Sequence, residues 1–158
     1  MLQDDMPLSL PNNILIPEIG RLLDEGHEVI LMTKGNSMLP FIIGGRDSVI
    51  LVKPVPGKLE AGDVVLAEVA PERFVLHRIV RIRDGVLTLR GDGNISRTEQ
   101  CGVGDVIGTA VGIVRKSGRT VRIGKAPVWR NSGPVFRRYA LALYRRTVYR
   151  IAIKKQGI

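Results

Sequence analysis

Cysteine is nearly missing from this chain, and two architectures go with it. A single thiol, Cys101, cannot form an internal disulfide framework, and no Cys/His cluster stands at metal-ligand spacing. Neither a stapled secreted fold nor a metal centre is expected, and no motif calls for a cofactor. Aromatic residues make up only 4% of the chain, too few for the stacking platforms that single-stranded nucleic acids use. Long apolar runs are lacking as well: "EVILM" and "ALALY" fall far short of the roughly 20 residues a bilayer-spanning helix needs. The opening "MLQDDMPLSLPNN" places acids and prolines where a secretory signal has a basic head and an apolar run, so no signal peptide is read there. The expectation is a cytoplasmic protein, soluble or peripheral at the cytoplasmic membrane.

Acid is missing from the last third. Residues 106–158 hold 13 Lys/Arg and no Asp/Glu, whereas residues 1–105 hold 11 Lys/Arg against all 15 Asp/Glu, giving a net charge of +9. Such asymmetry points to an anionic partner for the tail, an anionic membrane surface before nucleic acid, set against a merely solvated face. At 158 residues and 17.4 kDa the chain is the size of one ordinary domain with appendages.

Three regions follow from the periodicity. Residues 1–26 are an N-terminal segment with a short helix over "ILIPEIGRLLDEG" (14–26), in which Pro17 suits a first turn and Gly26 an end. Residues 27–125 carry seven short runs rich in Val, Ile, Leu and Thr, including "DSVILVKP", "GDVVLAEV" and "RFVLHRIVRI", separated by turn signals such as Gly44-Gly45 and Asp84-Gly85. This predicts a mainly β, antiparallel domain, with one face of its strands buried and the other turned to solvent or a groove. Residues 126–158 form a basic helical tail, where Phe136, Ala140, Tyr144 and Val148 step by four beside Leu143 and Ile151. That row suits packing on the sheet, a partner, or a membrane interface next to Arg137, Arg138, Arg145, Arg146 and Arg150.

Candidates for chemistry are few. Ser37 lies in "TKGNSMLPFI" between a glycine-led turn and a proline, and a serine hydroxyl needs a neighbouring base to become a nucleophile. The bases on offer are His27, His77, Lys34, Lys53 and Lys58. His27 follows a helix end, where a histidine is usually a solvated cap residue; His77 sits in mid-strand.

The succession "GNSMLPFI", a strand opened by Asp47, "GDVV", "FVLHRIV" and "LRGDGN" resembles the serine peptidase superfamily that unites type I signal peptidases with the self-cleaving LexA-type repressors of the bacterial DNA-damage response. The resemblance covers residues 30–110 and implies a signal-peptidase-like β fold. It maps the acyl-forming nucleophile onto Ser37 and the general base onto His77, as in the histidine branch that includes endoplasmic-reticulum and archaeal-like signal peptidases. For the acid behind the histidine it offers Asp92 first and Glu99 second, with a bare dyad as the third arrangement. The residue two before the nucleophile is Gly35, so the side-chain oxyanion donor of some members is absent, and the backbone amides of Asn36 and Ser37 are left for that role. Met38 matches the methionine beside the substrate pocket, and Gly62-Asp63 a structural turn. The implied activity is a compact serine endopeptidase cutting a protein or precursor peptide after small side chains, without the membrane span of housekeeping signal peptidases or the DNA-binding domain of the repressors. The alternative is a catalytically inactive module of the same fold that binds a membrane surface, protein or nucleic acid through its basic helix.

Overall fold

The computed structural model describes residues 10–154. The first nine residues of the stretch read as no signal peptide, and the last four of the basic tail, lie outside the described residues.

The first element, α1 (Asn12–Asp24), starts where Pro11 turns the chain and accepts the first amide bonds, from Ile14 (3.0 Å) and Leu15 (2.9 Å). It therefore begins two residues earlier than expected, and Pro17 falls inside it rather than in its first turn. Ile16, Ile19 and Leu23 form its buried stripe.

Eight strands follow: β1 (Val29–Met32), β2 (Ser48–Val52), β3 (Val64–Ala70), β4 (Arg73–Arg83), β5 (Val86–Arg90), β6 (Glu99–Gly102), β7 (Val106–Val114) and β8 (Thr120–Arg122). They make one sheet in the order β1-β2-β7-β3-β4-β5-β6, with β8 paired to β7, and every pairing is antiparallel. The mainly β class expected from the periodicity is what the chain adopts. One strand had no signal: β6, "EQCG", carries no β-branched residue, and it is held by register with β5, where Leu89 faces Glu99 and Leu87 faces Cys101.

The sheet is covered on both faces in its middle, unlike the one-sided burial expected. Val64 and Leu66 of β3 point into a core shared with α1, whereas Val65 and Ala67 point into a second core with Ile79, Leu87 and Leu89. Alternation places consecutive residues on opposite faces, so a strand apolar at every position must be sandwiched. Cys101 lies in the second core, where burial pushes its thiol up, away from the reactive thiolate.

The tail folds as α2 (Pro127–Asn131), α3 (Pro134–Tyr144), a π-helical turn over Arg145–Tyr149, and α4 (Arg150–Lys154). Leu141 closes a third core with Leu39 and Ile43, joined by Trp129, Tyr144, Tyr149 and Ala152; burying that leucine contributes about 1.5–3 kcal/mol to holding the tail down. The expected row splits here. Tyr144 packs inward, but Phe136, Leu143, Val148 and Ile151 stay exposed, and Arg137 is buried in their stead, donating to the Ile95 carbonyl (2.9 Å). The wide turn is the reason: a π turn takes one more residue than an α turn, which shifts the phase of everything after it.

Arg78 is the most unusual core residue. Only 2% exposed, it donates to both Asp92 carboxylate oxygens (2.7–3.1 Å) and to the carbonyls of Gly62 (2.8 Å) and Gly124 (2.7 Å). Its guanidinium also lies over Phe41, 5.5 Å from the ring centre. Arg78→Leu should lower unfolding free energy by about 3–5 kcal/mol in urea titrations, because it strands the Asp92 charge. Adding Asp92→Leu to it should cost less than the sum of the single changes, and an additive pair would contradict the coupling.

Candidate active site

Ser37 sits on the loop that joins β1 to β2, and that loop is held at its base by one carboxylate. Asp47 is fully buried; its Oδ2 accepts from the Ile43 amide (2.8 Å), and Arg46 and Arg115 donate to its two oxygens (2.6–2.8 Å). Burial alone would raise this carboxyl, but the Arg46, Ile43 and Arg115 donors outweigh it and hold it below the usual carboxylate range. The Asp47 carbonyl accepts from both the amide (3.1 Å) and the hydroxyl (2.7 Å) of Thr33, which closes the loop's mouth. Within it Gly35 adopts φ +75°, a left-handed conformation that glycine enters without the Cβ clash. A tight turn then carries Met38 inward, where it packs beside Ile42 and Leu66 and takes the Asp92 amide on its sulfur at 3.5 Å.

His77 comes from the middle of β4, opposite Val65 of β3. Its Nδ1 stands 2.9 Å from Glu99 Oε2, with both side chains shielded from solvent. The other ring nitrogen, Nε2, faces the Ser37 loop across Gly91. A β-carbon built on Gly91 would lie 3.1 Å from His77 Nε2 and 2.3 Å from the Ser37 carbonyl oxygen, so only a residue without one lets the two sides meet. The Ser37 carbonyl is fixed by the Gly93 amide at 2.7 Å. Among the described residues no partner holds the Ser37 hydroxyl or the amides of Asn36 and Ser37, which leaves a hydroxyl and two donors free at one spot. Catalytic hydrogen bonds are commonly long before substrate binds.

Ser37 and His77 both line a cleft of about 250 Å³. Its apolar wall includes Leu15 and Ile16 of α1, Leu31 of β1, Met38 and Leu66, and Lys34 stands at its rim.

The two candidate acids part company. Asp92 is committed to Arg78, whereas Glu99 is the carboxylate on His77. Burial pushes the Asp92 carboxyl up, opposed by that guanidinium. Glu99 is in turn steadied by Arg73 at 3.3 Å and Arg97 at 3.6 Å. His27 and Lys53 stand away from the cleft, beside Glu25 (3.8 Å) and Asp24 (3.6 Å). Two contributors had no signal in the sequence. Arg73 and Arg97 read as ordinary surface cations, and Tyr149, 113 residues beyond the loop, donates its hydroxyl to Asn36 Oδ1 at 3.1 Å.

Desolvation is the largest influence on His77 and lowers its pKa below the usual histidine range, while the Glu99 charge and hydrogen bond pull it back up. The ring is therefore a neutral base at physiological pH, with Nδ1–H donated to Glu99 and the Nε2 lone pair turned to Ser37.

Compared with known proteins, the chain significantly matches no family model, no curated protein and no solved structure.

Titrating His77 by NMR should give a pKa below about 6.5. Glu99→Gln should lower it further, because it removes the group that favours the imidazolium and leaves desolvation unopposed. A rise in that variant would contradict the electrostatic role given to Glu99.

Proposed function

We propose that this chain is a serine endopeptidase of the signal-peptidase-like type, with Ser37 as nucleophile, His77 as general base and Glu99, rather than Asp92, as the acid that orients the base. The observation that carries the reading is the polarity of the His77 ring: one nitrogen is held by Glu99 and the other is turned across Gly91 toward the serine loop.

The chemistry follows from that ring. The Ser37 hydroxyl oxygen attacks a peptide carbonyl carbon while its proton passes to His77 Nε2. Glu99 stabilises the imidazolium that forms and keeps the tautomer correct. The negative oxygen of the tetrahedral intermediate is met by the unengaged amides of Asn36 and Ser37, each donor contributing on the order of a few kcal/mol. Collapse breaks the C–N bond, and the imidazolium gives its proton to the leaving amine. A water molecule, deprotonated by the same nitrogen, then hydrolyses the acyl-enzyme, and both protons are accounted for.

Substrate is expected as an extended strand. β1 is an edge strand, hydrogen-bonded only to β2, and its Leu31 and Met32 border the cleft, so a peptide can lie along its unpaired side with alternate side chains turned into the apolar wall. The cleft volume suits small and medium side chains beside Ser37.

A fluorophosphonate probe should label the wild type at Ser37 and leave Ser37→Ala unlabelled. His77→Ala should slow labelling by about 10²–10⁴-fold, the usual contribution of a positioned base. Labelling that persists in Ser37→Ala would overturn the assignment. The rate should stay on its plateau into mildly acidic solution and fall only as pH drops through the depressed His77 pKa, since protonation removes the base.

A further inference from the structure

The helical tail has two faces, and only one of them is used by the fold. Leu141, Tyr144, Tyr149 and Ala152 pack against the loop residues Leu39 and Ile43. Turned away from the body are Val135 (67% exposed), Tyr139 (72%), Leu143 (65%), Val148 and Ile151, with Val128 and Phe136 exposed nearby. The π turn is what keeps both faces continuous: its extra residue brings Tyr149 and Ala152 back to the packed side and leaves Ile151 on the outer side with Leu143. At constant α pitch the packed stripe would drift round the helix after Tyr144. Arg138, Arg145, Arg146 and Arg150 are exposed along the same helix.

We propose that this outer face of residues 134–154 docks on an anionic phospholipid bilayer, lying in the interface rather than crossing it. No helix among the described residues is long and apolar enough to span a membrane. The pattern fits an interfacial helix, with aliphatic and aromatic side chains entering the acyl boundary and arginines reaching the headgroups. Two other occupants fit less well. A second copy of this face would bring arginines against arginines, and residues 106–158 hold no carboxylate to separate them. A nucleic acid would satisfy the arginines but leave Val135, Leu143 and Ile151 in water, and aliphatic side chains give bases nothing to stack on.

Docking has a geometric consequence for the cleft. The same helix rests on the serine loop through Leu141 and through the Tyr149 bond to Asn36 (3.1 Å), so a bilayer that holds the outer face also holds that loop close to its surface. The docking proposal does not depend on the peptidase reading, and neither stands or falls with the other.

The test is co-sedimentation of the full chain with vesicles of mixed phosphatidylglycerol and phosphatidylcholine, against vesicles of phosphatidylcholine alone. Binding is expected only to the anionic vesicles, and it should weaken as salt is raised. Each arginine near such a surface tightens binding about five-fold, so Arg138→Gln/Arg145→Gln/Arg146→Gln should weaken it about 100-fold. Tyr139→Asp/Leu143→Asp should weaken it at least tenfold. All five positions are exposed, and an unchanged thermal transition in each variant separates lost docking from lost folding. The proposal is overturned if anionic vesicles leave the protein in the supernatant, if neutral vesicles bind it equally, or if either folded variant sediments like the wild type. An oligonucleotide that binds while vesicles do not would reassign the face to nucleic acid.

Discussion

One buried guanidinium organises the parts of this protein that lie far apart in sequence. Arg78 is the residue after His77, and its bonds reach the turn before β3 through Gly62, the entry to the tail through Gly124 and the loop after β5 through Asp92. The Asp92 loop then touches the serine turn through the Met38 sulfur and the Gly93 amide, and receives the Trp129 indole on the Asp92 carbonyl at 2.9 Å. A charge removed from water is costly unless it is fully paired. Here the demand for pairing ties the sheet, the serine loop and the tail into one arrangement, which a purely apolar contact could not specify so narrowly.

Around that hub the two reacting groups are anchored in different ways. His77 belongs to the body of the sheet and is positioned by strand register, with its acid on β6 two strands away. Ser37 belongs to a loop that hangs from Asp47 and is backed by Leu39, Ile43 and the tail. The base is therefore as rigid as the sheet, whereas the nucleophile depends on a clamp of charge at one end and helix packing on the other. Loops on rigid scaffolds are where function usually sits, and here the scaffold includes a helix from the far end of the chain.

The sequence carried the strands with strong Val/Ile/Leu patterning and the helical nature of both ends, because those signals are local. It offered Ser37 and His77 through the order of short motifs, and both line one cleft. It ranked Asp92 ahead of Glu99, because an aspartate next to glycine in a motif is visible while the partner of a carboxylate is not. The "HR" pair hid the answer: the arginine after His77 takes Asp92 for itself. Glu99 stayed in the background because β6 is short and lacks β-branched residues, so nothing local announced the strand that carries it to the histidine. The tail's faces were misread for another reason. A row stepping by four assumes constant pitch, and the π turn breaks that assumption at Arg145–Tyr149.

Gly91 gives the site an unusual kind of gauge. The histidine ring and the serine loop approach each other through the volume where every other amino acid would place a carbon atom. Their separation is thus set by what position 91 leaves out, with no side chain of its own to adjust and no rotamer to change. The spacing between the two halves of the site is in that sense quantised: it takes the width of a hydrogen atom or the thickness of a methyl group, with nothing between, and the fold has been built on the narrower setting.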